Sequence, residues 1–317
     1  MKTKLYIFAL LIVASSSFAQ QNAQYSQYIF NQMVINPAYV GNKESWNINA
    51  MYSSQWTGLT GAPSTQTISA DGEISEKIGI GFHLVNDQIG AQSQQGLFGS
   101  YAYKIKLNEK FKLALGIAVG ASYFTLDGSK LTMENPDDPA ISNRTETQLK
   151  FDSKSGIFLS SDRFYAGFSV SDLLSDVFKS NDLLVPNQAR HYYLTSGYVV
   201  NLNKSFKFKP SFLIKEDFKA PTNIDVNAFF LYNDKFWLGA SYRTGAKIFN
   251  TNKLDNSLKY KDALTFMADI TISEKFRIGY AYSHSLSAFN EFPGHEISVS
   301  YYFPQKPEKR MKYLKYF

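Results

Sequence analysis

The chain has 317 residues, a formal charge of +6 and a sequence pI of about 9.1, a modest excess that calls for no nucleic-acid partner. It contains no cysteine, which excludes a disulfide framework, a thiolate metal site and a cysteine nucleophile. Aromatic residues make up 16%, dominated by 26 Phe and 21 Tyr against 3 Trp, and length alone allows one large domain or two.

Residues 1–19 read as a secretory signal. Lys2 and Lys4 precede the apolar run Leu5 to Val13, and Ser17-Phe18-Ala19 is a small-x-small cleavage site. The run is too short to span a bilayer as a helix, and no cysteine follows to take a lipid anchor. Beyond it no apolar run reaches helical spanning length, so a membrane-embedded form of this chain has to be a barrel.

Residues 20–44 form a distinct N-terminal segment. Within QYSQYIFNQMVINPAYVG, Tyr25, Tyr28, Ile29, Gln32 and Met33 fall at helical spacing. Asn36-Pro37 ends any helix, because proline disfavours helical geometry in the residue before it. A short helix and turn are predicted, followed by an extended approach to the first strand.

Residues 45–303 show strand patterning throughout. Fourteen strands are predicted, at about 45–54, 65–73, 77–86, 95–107, 110–126, 150–160, 163–171, 190–202, 206–216, 222–232, 235–244, 260–272, 275–285 and 294–303. The stretch 95–126 is the clearest. Tyr101, Tyr103, Ile105 and Leu107 share one parity, and Ser100, Ala102, Lys104 and Lys106 share the other. After Asn108-Glu109-Lys110 the pattern resumes with Phe111, Leu113, Leu115, Ile117, Val119 and Tyr123 on the apolar side. Side chains alternate across a strand, so each such strand has a greasy face and a small or polar one.

Every second connection is short: Ser75-Glu76-Lys77, Asn108-Glu109-Lys110, Ser161-Asp162-Arg163, Asn203-Lys204-Ser205, Asn233-Asp234-Lys235 and Ser273-Glu274-Lys275. All but the first are followed at once by phenylalanine, at Phe111, Phe164, Phe206, Phe236 and Phe276. The intervening connections are longer, notably 127–149, 172–189 and 245–259. Short turns at one rim, long loops at the other and aromatic residues at an interface are the pattern of an up-and-down outer-membrane β-barrel. An even strand count puts both termini on the periplasmic side, and closure removes the unpaired edges. A soluble β-sandwich also alternates but has no reason to sort its loops by length.

The stretch 304–317 is a basic tail, with Lys306, Lys309, Arg310, Lys312 and Lys315 against Glu308. It reads as a solvated end or a contact for an anionic partner.

Motifs for chemistry are scarce. No nucleophile elbow, P-loop, zincin or EF-hand pattern occurs, and neither an enzyme, a cofactor nor a metal site is expected. His284 lies among Ser283, Ser285 and Ser287, and Asp137-Asp138 lie in a long loop; a polar barrel wall and an ordinary loop account for both. Loop 171–189 carries Leu173, Leu174, Val177 and Phe178 as an apolar stripe that Ser171 or Asp172 can cap as a short helix, a candidate docking patch on the outer face.

The run QYSQYIFNQMVINPAYVG, then Gln55-Trp56-Thr57-Gly58, Gly61-Ala62-Pro63-Ser64-Thr65 and the closing HEISVSYYFP, resemble the PorP/SprF family of type IX secretion and gliding systems. The resemblance covers essentially the whole chain. It implies a non-catalytic protein of the outer membrane that serves secretion and surface attachment of a large adhesin by recognising the adhesin's C-terminal domain. It also implies periplasmic components of the same system as partners. Candidate partner-binding residues are Tyr25, Tyr28, Asn31, Asn36, Pro37, Tyr39 and Trp56, with Leu173, Leu174 and Phe178 from the outer loop. The segment from Gln24 to Gly41 is expected at the periplasmic mouth as plug or docking element. A porin or transporter for small solutes is the alternative, and a soluble periplasmic β protein the third reading.

Overall fold

A computed structural model describes residues 25–43, 45–131, 145–177, 188–249, 261–303 and 316. The predicted signal, the rest of the tail, Phe178 and Asp137-Asp138 lie outside the described residues.

The strands are β1 Asn47–Ser54, β2 Ser64–Ser75, β3 Ile78–Ile89, β4 Gln92–Lys106, β5 Lys112–Asp127, β6 Thr145–Ser160, β7 Phe164–Ser171, β8 His191–Tyr198, β9 Val200–Asn201, β10 Phe206–Glu216, β11 Thr222–Tyr232, β12 Phe236–Ala246, β13 Lys261–Thr271, β14 Phe276–Ser285 and β15 Gly294–Tyr302. Apart from β8 and β9, which both pair with β10, each strand pairs antiparallel with its neighbours in sequence, and β1 pairs with β15 from Asn47↔Tyr302 to Ser54↔His295. The sheet therefore closes on itself. β8 and β9 pair with β10 in one register and make one strand, so the wall is a fourteen-stranded barrel. The gap at Val199 lies opposite Lys209-Pro210, where proline has no N–H to give the ladder.

The apolar face of the wall points outward. Tyr101, Tyr103, Leu115, Ile117 and Val119 are exposed, while Ser100, Ala102, Lys104, Ala114 and Ala118 are buried toward the lumen. No described helix is long and apolar enough to cross a membrane; this chain crosses with strands. All the connections at the lower, periplasmic rim are short. There Phe206 packs on Tyr232 with ring centroids 4.8 Å apart and Phe276 on Tyr301 at 5.0 Å, a girdle at the interface.

The upper rim departs from the expected pattern at one hairpin. β3 and β4 run on to a turn of only Gly90-Ala91, with Gly90 in the left-handed region, so 87–94 is hairpin rather than loop. β6 likewise begins at Thr145 instead of near 150. A strand of about 10 residues crosses the hydrocarbon, so these extensions stand above it and need no apolar outer face.

Candidate functional site

The lumen is filled by the chain's own N-terminal segment. In place of a helix, residues 25–43 form three 3₁₀ turns, Ser26–Ile29, Gln32–Val34 and Pro37–Tyr39. Ile29, Tyr39 and Val40 are wholly buried, packed with wall residues Phe158, Tyr165, Leu213, Phe229 and Trp237 in one cluster. Each large apolar side chain so buried contributes about 1.5–3 kcal/mol. Pro37 opens the third turn because its fixed φ suits that position and its missing N–H costs nothing there.

Polar ties hold the segment to strands all round the wall. The Glu296 carboxylate accepts from the amides of Ser26 and Gln27, at 2.8 and 3.0 Å. Asn31 donates to Ser69 at 2.8 Å and to Asn49 at 3.2 Å. Asn36 accepts from the Ala38 amide at 2.9 Å and donates to the Ile157 carbonyl at 3.0 Å. Asp71 accepts from the Gly41 amide at 2.8 Å, and Lys104 donates to the Gly41 carbonyl at 3.0 Å while pairing with Glu73 at 2.8 Å. These partners come from β15, β2, β1, β6 and β4, so no single strand carries the segment.

Small wall residues make the room. A methyl group at Gly79 would collide with the Val40 carbonyl, and one at Gly116 with the Ala38 backbone. Gly41 itself has φ +72° and passes so close to Gly79 that a side chain at either position would meet backbone.

Above this filling lies a cavity of about 90 Å³ that opens toward the outer rim. Tyr25, Tyr28, Val34 and Ile35 of the N-terminal segment form its floor, and His83, Phe98, Tyr193 and Leu213 line its wall. His83 stacks on Phe98 at 5.2 Å, and the Lys154 ammonium sits 4.5 Å from the same ring. Asp172, His191, Lys215, Glu216 and Asp217 surround the mouth, with Asp172 3.5 Å from His191. The cavity offers aromatic surface and charges of both signs, which suits an amphipathic polypeptide or a small aromatic solute.

The sequence-derived candidates separate into three groups. Tyr28, Asn31, Asn36, Pro37 and Tyr39 are buried within the barrel, and Tyr25 reaches the cavity. Trp56 lies on the outer β1–β2 loop and stacks on Phe289 at 4.6 Å, far along the chain but beside it in space. Leu173 and Leu174 sit in turns, not a helix, with their amides held by Ser153 and Asp152 of β6 at 3.1 and 3.0 Å. His83, Phe98, Tyr193 and the acidic pair Glu216-Asp217 were not legible as site residues, since each is one more member of an alternating strand or a turn. Strand parity turns His284 to the outer face and Ser285 to the inner one, so the two do not form a nucleophile–base pair.

The sequence profile described as type IX secretion system membrane protein PorP/SprF matches residues 17–301. The chain belongs to the PorP/SprF family. This places it in the outer membrane and in type IX secretion, and makes components of that system its partners. No curated protein matches this PorP/SprF chain. Among solved structures, the toluene transporter TbuX of Ralstonia pickettii is similar at 10% identity and a TM-score of 0.51, over 86% of this chain and 93% of that one. A FadL homologue of Pseudomonas aeruginosa is similar at 12% identity and 0.47, over 87% and 93%. At 10% identity the likeness to TbuX is one of barrel fold.

Proposed function

We propose that this PorP/SprF protein is a non-catalytic, sealed receptor of the outer membrane, which holds the C-terminal domain of an exported adhesin at the cell surface. The observation that carries the reading is the filled lumen beneath an outward-facing cavity. Wholly buried Ile29, Tyr39 and Val40 span the interior, so a ligand entering from outside meets a floor. Receptor and floor belong to one chain, and the floor's Tyr25 and Tyr28 are the residues a bound polypeptide would touch first. On this reading Trp56, Leu173 and Leu174 add contacts from the outer loops.

A small-solute transporter is the second reading, favoured by the aromatic wall of the cavity and by the fold shared with a toluene transporter. The test is a detergent pull-down of the full-length protein from native membranes, paired with planar-bilayer recording of the pure protein. A co-purifying adhesin and electrical silence support the receptor. Steady conductance with no co-purifying surface protein supports the transporter.

A further inference from the structure

The lower mouth of the barrel contains contacts that neither the wall nor the N-terminal segment requires. Tyr316, distant in sequence from the last strand, packs against the buried cluster inside the lumen. Its backbone carbonyl accepts a hydrogen bond from Lys209 Nζ at 2.9 Å. The Lys207 ammonium lies 5.0 Å from the centre of its ring. Lys209 is itself wholly buried, its ammonium 5.7 Å from the Tyr165 ring and 5.5 Å from the Trp237 ring.

We propose that Lys207, Lys209, Tyr165 and Trp237 form a periplasm-facing docking site for a tyrosine-bearing extended segment, and that Tyr316 of this chain is its resident occupant. The chemistry is that of peptide recognition. One lysine, fixed between two aromatic faces, reads a main-chain carbonyl, and a second reads the face of an aromatic ring. A buried ammonium is costly unless acceptors meet it, and the Tyr316 carbonyl is one that meets Lys209. Asp234, on the turn below, pairs with Lys207 and holds it at the rim. The site also touches the N-terminal segment: Phe30 packs on Trp237 at 6.2 Å and on Phe229 at 5.7 Å. Occupancy from below and the filling of the lumen thus share a tryptophan. A periplasmic protein that binds the lower mouth has to offer the same chemistry or displace Tyr316.

The chain has no cysteine, so introduced pairs report without background. In native outer membranes, Lys207→Cys with Tyr316→Cys should couple through a short bis-maleimide at least about tenfold faster than Glu76→Cys with Tyr316→Cys, because Glu76 lies on the opposite side of the same rim. Equal rates would overturn the proposal. The second measurement leaves Tyr316 in place. Lys209→Met should speed trypsin cleavage at Lys312 and Lys315 by about tenfold in protein whose heat-modifiable gel shift shows a closed barrel. Cleavage unchanged from wild type in such folded protein would show that Lys209 does not hold the tail, and would overturn it as well.

Discussion

The carboxylate of Glu296, on the last strand, accepts the backbone amide of Ser26 at 2.8 Å, joining positions that are 270 residues apart. Neither oxygen is idle, because the second accepts from Gln27 at 3.0 Å. The pair fastens the upper end of the luminal segment beside the β1–β15 seam. Hydrogen bonds to a charged acceptor contribute about 1.5–3 kcal/mol each. Glu296→Ala should therefore release residues 25–28 while leaving the barrel closed. The expected readout is faster labelling of Ser26→Cys by a membrane-impermeant maleimide, with an unchanged heat-modifiable mobility.

Gly116 tests the packing of the lower filling. Gly116→Val puts a branched side chain where the Ala38 backbone lies. Overpacking of this kind costs about 1–3 kcal/mol, and the luminal segment, which has no strand ladder to hold it, moves before the wall does. The variant should show brief conductance openings in a planar bilayer where wild type is silent.

Asn36 ties the third turn both to itself and to the wall. Asn36→Ala removes the acceptor for Ala38 and the donor to Ile157, leaving a buried amide unmet. A loss of about 1–3 kcal/mol is expected in the attachment of the segment. Hydrogen exchange should rise over residues 35–41 and stay at wild-type levels in β5 and β6.

Deleting residues 24–41 should leave a barrel that inserts and shifts on heating, because every ladder bond lies in 47–302. The same deletion should abolish adhesin display, since it removes the floor formed by Tyr25, Tyr28, Val34 and Ile35. Unchanged display would separate the luminal segment from receptor function.

The outer wall was legible in the sequence and the interior was not. Lipid demands an apolar side chain at every second position, so Tyr101, Tyr103 and Ile117 announce themselves by spacing. Inward positions answer to a filling whose identity comes from a distant part of the chain. Lys104 is intelligible only beside Gly41 and Glu73, and Gly79 only beside Val40. The 3₁₀ turns of 26–39 mimic a helix in sequence, because Tyr25, Tyr28, Ile29, Gln32 and Met33 recur at three- and four-residue steps, which both forms produce. The Gly90-Ala91 hairpin looks like a loop in sequence for another reason. Above the hydrocarbon both faces of a strand meet polar surroundings, and Asp87, Gln88, Gln92 and Ser93 carry no period.

The luminal segment runs into β1 through Ser45 and Trp46, at the rim that faces the cell interior. It is leashed at the bottom and merely bonded at the top. Released from Glu296, it would stay tethered to the wall at the periplasmic rim. A segment fastened in this way can shift yet remain at hand to reseat, as a detached polypeptide could not.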